Sequence, residues 1–466
     1  MPSKTLITNA KAIVTCNETD TVYYDSDILI EGPCIIAIGK NLDTTGCTLI
    51  DAKGKYVYPG LVNTHHHFFQ TFVRNLMTID YPNMLVVDWL DKIYPIFQEI
   101  DSEVIYYSSL VAMADLLKHG CTCAFDHQYC YTQKTGKSAV DRQMEASSLL
   151  GIRYHAGRGC NTLPKSEGST IPDKMLETTK EFLDDCNRLI GLYHDSNPFS
   201  MSQIVVAPCQ PINSYPETFI ESVALARDKK VRLHTHLGEG ENPIMEARWG
   251  MRTLQWAQKI GFVGEDVWLA HGWELNREEY KVMAQTKTGL SHCPAPAVLG
   301  GFPILDIPSM QREGMNISLG CDGSATNDSS NLLDSLRMAY LMQAYNSKSR
   351  GGSPSPYDML KIATINGAKT LGRTDIGSLQ VGMGADLFMV DTLPLEMAGT
   401  LHDPKTLLAR TGVTGPVYLT MVNGKVVYSE GHLTGIDEGK LAEEAEAVCN
   451  RVLRSEFPSV FPSMQH

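Results

Sequence analysis

From about residue 57 to residue 372 the chain alternates two textures. Short apolar runs (CTCAFDH, IRYHAGRG, SQIVVAPC, VRLHTHLGE, DVWLAHG, TGLSHCP and MNISLGCDG) are separated by longer amphipathic stretches such as SEVIYYSSLVAMADLLKHG and PETFIESVALARDKK. With KYVYPGLVN ahead of them, the pattern predicts eight strands alternating with helices. That is an α/β chain folded as a (β/α)8 TIM-like barrel, with its chemistry at the carboxyl ends of the strands. Outside this segment the texture is β-type at both ends: TLITNAKAIVT and DILIEGPCIIAIG at the start, GADLFMVD and YLTMVNGKVVYSEG near the close. Asn423-Gly424 reads as the type I′ turn of a hairpin. The two ends are expected to meet as one smaller β-sandwich. The predicted division is a first sandwich part over 1–58, the metal-dependent barrel over 59–372, the second sandwich part over 373–435, and a C-terminal helix and tail over 436–466. The alternating charges of DEGKLAEEAEAVCNRVLR predict a solvated helix face.

Composition narrows the partners. The chain has 466 residues and a formal net charge of −13. No basic stripe is present to neutralise phosphates, which argues against nucleic acid or an anionic membrane and leaves a small molecule as the expected partner. MPSKTLITNAKAIV lacks the continuous apolar core of a signal peptide, and no run approaches the roughly 18 apolar residues of a membrane span. A cytoplasmic location is expected. The twelve cysteines have no framework spacing and are expected as buried thiols, including Cys121 and Cys123, whose C-x-C falls inside a strand pattern.

Polar residues recur where strands end. In PGLVNTHHHFFQTFVRNL, residues 59 to 76, a β-rich run stops at three consecutive histidines. Strand alternation points His65 and His67 one way and His66 the other. Asp126 and His127 follow, then His234, His236 and Glu239, then His271, His292 and Asp322. One such histidine is ordinarily a hydrogen-bonded structural residue. Several converging on one barrel mouth suit Zn2+ or Fe2+, which bind imidazole nitrogen and carboxylate oxygen and, in catalytic sites, keep a position for water. On this reading His65, His67 and His236 are three metal ligands and Asp322 is a carboxylate opposite them.

Four segments, HHH after PGLVNT, HTHLGE, LAHG and GCDGSATNDSSNLL, together resemble the amidohydrolase superfamily, in the branch of cytosine, guanine and 8-oxoguanine deaminases and triazine hydrolases. THHHFFQTFVRNL, AFDHQYCY, GRGCNTLPKSEGSTIPD, HTHLGEGENP and HCPAP draw the resemblance toward the triazine side of that branch. The resemblance covers essentially the whole chain, including the split β-sandwich closed by IGSLQVGMGADLFMVD. It implies a single zinc held by His65, His67, His236 and Asp322, and removal of an amino or alkylamino group from a hydroxylated nitrogen heteroaromatic ring. Binuclear relatives bridge two metals with a carboxylated lysine; GIRYHAGRG and SQIVVAPCQ offer none, so one metal is expected. In the implied reaction a metal-activated hydroxide attacks an electron-poor ring carbon. Asp322 accepts the water proton, His271 orients the water, and Glu239 protonates a ring nitrogen. A homodimer is expected because relatives commonly form oligomers.

Other residues carry weaker expectations. Gln70, Trp89, His127 and Asn327 are tentative substrate contacts, although Trp89 in VVDWLDKIYPIF also fits helix packing and His127 also fits a backbone hydrogen bond. Arg74 is expected to pair with a carboxylate, His66 to pack, His292 to be structural, and Asp328 to cap the helix begun by SSNLLDSLRMAYLM. Ala295-Pro296-Ala297 stands where many purine-type relatives carry a Ser-Asn pair, and a small apolar surface there would accommodate an N-alkyl group. Two other readings stay open: a guanine or 8-oxoguanine deaminase, and a non-catalytic assembly protein on the same scaffold.

Overall fold

A computed structural model of the protein describes residues 4–76, 83–84, 86–350 and 354–454. Eight parallel strands follow one another round a barrel: Leu61–Asn63, Cys121–Gln128, Arg153–Arg158, Ser202–Val206, Arg232–Leu237, Val267–His271, Gly289–His292 and Ile317–Leu319. Helices such as Ser102–Lys118, Ala139–Leu150, Thr179–Tyr193 and Pro216–Lys229 connect them. Strand alternation sorts the side chains. Leu233 and Leu237 pack outward among helix residues such as Phe219 and Ala226. His234 turns inward, its ring 4.6 Å from both Phe125 and Trp268. Phe125 and Trp268 form the inner apolar layer with Val62, Cys123, Val205 and Ala207. The barrel is therefore a packed core, not a pore.

The seam between the last and first strands closes in two ways. Thr64 N–H donates to the Leu319 carbonyl at 3.1 Å. Beyond it, His66–His67 pairs in parallel with Asp322–Gly323. This two-residue ladder carries the end of the histidine triplet and the candidate carboxylate, so closing the barrel mouth also brings them together.

At the opposite end a buried ion pair stops the barrel. Arg153, fully buried at the start of its strand, forks onto Asp386 through Nε (3.0 Å) and Nη2 (2.9 Å), and its Nη1 donates to the Phe199 carbonyl at 2.8 Å. Asp386 belongs to the second chain end, and its Oδ1 also accepts the Asn423 N–H at 2.8 Å. The pair thus joins the barrel to the smaller sheet.

That sheet has nine strands drawn from both ends of the chain. Lys4–Val14 forks it: its first half pairs in parallel with Cys47–Asp51, its second half with Lys55–Pro59, and a register shift separates the halves. The fork lets one continuous sheet close over its own apolar cluster, including Ile7, Ile13, Ile28, Ile35, Val57, Leu387 and Met421. At the hairpin between Leu419–Val422 and Lys425–Ser429, Asn423 and Gly424 have φ of 52° and 76°. Both values are positive, as a type I′ turn requires. A Cβ on Gly424 would sit 2.0 Å from the Gly32 carbonyl oxygen, which excludes larger residues.

The C-terminal helix Glu438–Cys449 has the expected solvated face, with Lys440, Glu443 and Glu446 exposed, and a second, buried face. It docks on Ser102–Lys118, burying Val448, Cys449 and, just beyond, Leu453. Glu438 pairs with Lys118, and Glu444 accepts from the Tyr107 hydroxyl at 3.2 Å. Among the described residues no helix is long and apolar enough to cross a membrane.

Arg153→Met would leave Asp386 buried and uncompensated. The expected loss in denaturant unfolding is about 3–5 kcal/mol. Lys180→Met, which breaks the solvent-exposed pair with Asp184, should leave the unfolding midpoint unchanged.

Candidate metal centre

Three strand ends and one turn converge at the barrel mouth. The Nε2 atoms of His65 and His67 each lie 3.3 Å from Asp322 Oδ1, and His67 Nε2 lies 3.1 Å from His236 Nε2. One ligand atom from each of His65, His67 and His236 falls within 4.8 Å of the others, and so do those of His65, His271 and Asp322. All of these side chains are buried.

The partners of the second ring nitrogens assign the protons. His67 Nδ1 is 2.9 Å from the His127 carbonyl oxygen, and His236 Nδ1 is 2.7 Å from that of Cys209. A carbonyl oxygen only accepts, so each Nδ1 carries the hydrogen and each Nε2 presents a lone pair. His65 Nδ1 meets His234 Nε2 at 2.9 Å, and His234 Nδ1 meets the Trp268 carbonyl at 3.0 Å. Burial pushes the pKa values of all three candidate ligands down, strongly for His65 and His236, with the neighbouring imidazoles adding to the effect at those two. The site therefore aims three uncharged imidazole lone pairs at one point beside a carboxylate. His65 Nε2 is buried and has no hydrogen-bond partner. Such an arrangement repels itself unless a cation sits within it, and the N/O donor set fits a zinc- or iron-type divalent ion.

Two residues at the centre hold backbone conformations that non-glycine residues rarely adopt: His271 with φ of 75° and Asp322 with φ of 66°. At His271 the departure breaks strand alternation and brings its ring within 5.4 Å of the His236 ring, the two nearly parallel. At Asp322 it is held by the turn around it. Asp322 N–H donates to the His65 carbonyl (3.0 Å), Cys321 N–H to Asn63 Oδ1 (2.9 Å), and Asn327 Nδ2 to the Cys321 carbonyl (3.0 Å). Gln70 Oε1 accepts from the Ala325 N–H at 3.3 Å, and a Cβ on Gly323 would collide with that amide. Strain of this kind persists only where the surroundings over-determine it, and it clusters at functional sites.

Glu239 stands 3.6 Å from His271 Nε2. Its loop is pinned by Glu241, whose carboxylate accepts the Gly238 and Glu239 N–H groups, both at 2.6 Å. Burial, then the charges of Asp322 and Glu241, raise the Glu239 pKa well above the ordinary carboxylate range, so its carboxyl favours the protonated form. Burial takes His271 down to about 4, leaving a neutral imidazole.

The remaining candidates fall in several places. Gln70 and Asn327, expected at the substrate, have at least one amide atom each bonded to the Asp322 turn. His127, also expected there, is fully buried; its ring bonds the Ala207 carbonyl at 2.7 Å and stacks on His236 at 4.8 Å, and its own carbonyl serves His67. Trp89 is buried in an apolar cluster with Phe69, Phe97 and Tyr129 that packs beside the centre. His66 faces away, toward the Ser330 hydroxyl at 3.0 Å. Arg74 Nε donates to the Thr71 carbonyl. Asp328 does not cap the helix Leu332–Arg350. Asn331 Oδ1 does so, accepting from Leu333 N–H at 3.0 Å, while Asp328 accepts the Asn75 N–H. Three participants had no role assigned from the sequence: His234, Glu241 and Trp273. Trp273 lies 4.5 Å from the His271 ring and stacks on Phe302 at 4.3 Å. HTHLGEGE and HGWEL display all three residue types, but only the fold gives their partners.

Known proteins resemble the chain over most of its length. The model of the amidohydrolase family matches residues 56–427. The chain is 50% identical over 460 residues to a hydroxydechloroatrazine ethylaminohydrolase of Pseudomonas sp. (strain ADP), covering 96% of each chain. It is 33% identical over 458 residues to an 8-oxoguanine deaminase of Pseudomonas aeruginosa, covering 97% of this chain and 99% of that one. Among solved structures, an atrazine chlorohydrolase of Arthrobacter aurescens TC1 complexed with zinc superposes with a TM-score of 0.90 at 30% identity, over 95% of this chain and 99% of that one.

His236→Ala, which deletes one of the converging lone pairs, is expected to cut bound metal from about one equivalent per chain to a small fraction of that. Elemental analysis of the purified proteins checks it.

Proposed function

The chain belongs to the amidohydrolase family, and on that premise we propose that it is a metal-dependent aminohydrolase removing an amino or alkylamino group from a hydroxylated nitrogen heteroaromatic ring, most like hydroxydechloroatrazine ethylaminohydrolase. The observation that carries this reading is the convergence of three imidazole lone pairs and the Asp322 carboxylate beside Glu239, which stands 3.6 Å from His271 Nε2 and whose pKa burial and neighbouring charge raise. The 50% identity to an enzyme of that name supports the substrate class.

His65, His67, His236 and Asp322 would hold one divalent ion, with zinc favoured by the zinc complex of the structural relative. A bound ion supplies Lewis acidity, which makes a water molecule nucleophilic near neutral pH. The protein's side chains supply the rest. Asp322 accepts a proton from the attacking water. His271, kept neutral by burial and turned inward by its backbone, receives a hydrogen bond from that water and aims it at the ring carbon. Glu239 donates its proton to the adjacent ring nitrogen, so the ring does not carry a full negative charge as the carbon becomes tetrahedral. The C–N bond then breaks, the amine leaves with a proton relayed by Asp322 or Glu239, and the carbon keeps the oxygen. Ala295 and Ala297 are both buried and small, and Ala297 clusters with Trp273 and Phe302; we assign this apolar side to the N-alkyl group. Twelve cysteines without disulfide partners accord with a reducing, cytoplasmic setting.

Zinc-loaded protein offered hydroxyatrazine, guanine and 8-oxoguanine is expected to release alkylamine from the triazine faster than ammonia from the purines. Efficient turnover of a purine with an inert triazine would move the assignment to the 8-oxoguanine deaminase type. Glu239→Gln should lower kcat by about 10²–10⁴-fold while elemental analysis finds the metal content unchanged.

A further inference from the structure

The three candidate histidine ligands are not held alike. His67 and His236 each read a backbone carbonyl directly through Nδ1. His65 reads one at second hand: its Nδ1 meets His234 Nε2 at 2.9 Å, and His234 Nδ1 meets the Trp268 carbonyl at 3.0 Å. Trp268 returns the connection, since its indole N–H donates at 3.0 Å to the carbonyl of Thr64, the residue before His65. The result is a closed circuit of three hydrogen bonds linking the first, fifth and sixth barrel strands. Thr64, His65, His234 and Trp268 are all fully buried, so no solvent replaces a lost bond.

We propose that His234 is a positioning residue for the metal centre, transmitting the direction of the Trp268 carbonyl to His65 and holding His65 in the tautomer whose Nε2 is a bare lone pair. The logic runs one way. The carbonyl can only accept, so His234 carries its single hydrogen on Nδ1. Its Nε2 is then an acceptor, and His65 must donate from Nδ1. The opposite tautomer of His65 would put hydrogen on the atom that faces Asp322 and the other ligands, and it would face His234 Nε2 with a second lone pair. In the grouping of His65, His127 and His234, which brings three ring nitrogens within 4.8 Å, the first and last are joined by the relay bond, which leaves His234 no free lone pair for a second ion. Both nitrogens of His234 are already engaged, and His127 Nε2 is held by the Ala207 carbonyl. The strand explains why such a residue is available: His234 and His236, two apart, share the inward face, one beneath the other.

The inference rests on His65 being a ligand, and the experiment separates the two claims. Zinc affinity is measured by chelator competition for the wild type, His234→Phe and His234→Gln, and the cobalt(II)-loaded forms are compared by visible absorption. His234→Phe keeps an aromatic ring but removes the acceptor, and it is expected to weaken zinc binding about 10–100-fold and to change the cobalt spectrum. His234→Gln, which retains an amide acceptor and donor, is expected to recover most of that loss, a rescue that mere filling of space would not produce. Equal affinity of His234→Phe and wild type, or equal weakening in both variants, overturns the relay. A wild type that takes up no metal overturns the site itself. Should His234→Phe fail to fold, the ring-nitrogen 15N shifts of His65 in metal-free wild-type protein decide. The Nδ1–H form is expected, and the Nε2–H form would refute the proposal.

Discussion

The structure depends on the direction of a few buried hydrogen bonds at the barrel mouth. An imidazole in water moves its proton freely between its nitrogens. Here the carbonyls of His127, Cys209 and, through His234, Trp268 remove that freedom. Burial keeps the rings uncharged, and the backbone decides which nitrogen is bare. Everything chemical about the site follows from this: a cluster of neutral donors aimed inward, one carboxylate to balance a cation, and a second carboxyl beside them whose pKa burial and the neighbouring carboxylates raise. The same residues that build the site also complete the fold, because the ladder of His66–His67 against Asp322–Gly323 fastens the last strand to the first.

Much of this was visible in the residues themselves. The strand runs from CTCAFDH to MNISLGCDG appear as barrel strands in the order expected, since apolar alternation and length are local properties. His65, His67, His236, His271, Glu239 and Asp322 drew attention because each ends such a run, and the fold brings them to one mouth. What stayed hidden was of two kinds. The partners that orient the ligands are backbone carbonyls, which have no side-chain signature, so His234 read as one more strand-end histidine. Side-chain direction at the mouth is equally unreadable when the backbone leaves the usual regions. Nothing in LAHG or GCDG announces that His271 and Asp322 hold positive φ. Gln70 and Asn327 sat in the right segments, but the turn around Asp322 has a prior claim on amide atoms of both. Asp328 and Asn331 are both reasonable caps by type, and only the position of the first helical turn selects Asn331.

The loop after the fifth strand shows how a single element serves two carboxyls of opposite use. Glu241 is spent on the N–H groups of Gly238 and Glu239, which fixes the loop and leaves Glu239 without those stabilising donors. Its neighbour's negative charge then raises the affinity of Glu239 for a proton. A structural carboxylate thus adds to burial and to the charge of Asp322 in raising the proton affinity of a carboxyl two residues away.

The Arg153–Asp386 plug has a consequence at the far end of the molecule. With the base of the barrel stopped by a buried ion pair, the pocket is a cul-de-sac, and whatever reacts there enters and leaves by the same doorway. Departure of the ring product and arrival of the next molecule are then mutually exclusive events. Whatever crosses that doorway passes the side on which Trp273 stacks on Phe302 and packs against the His271 ring.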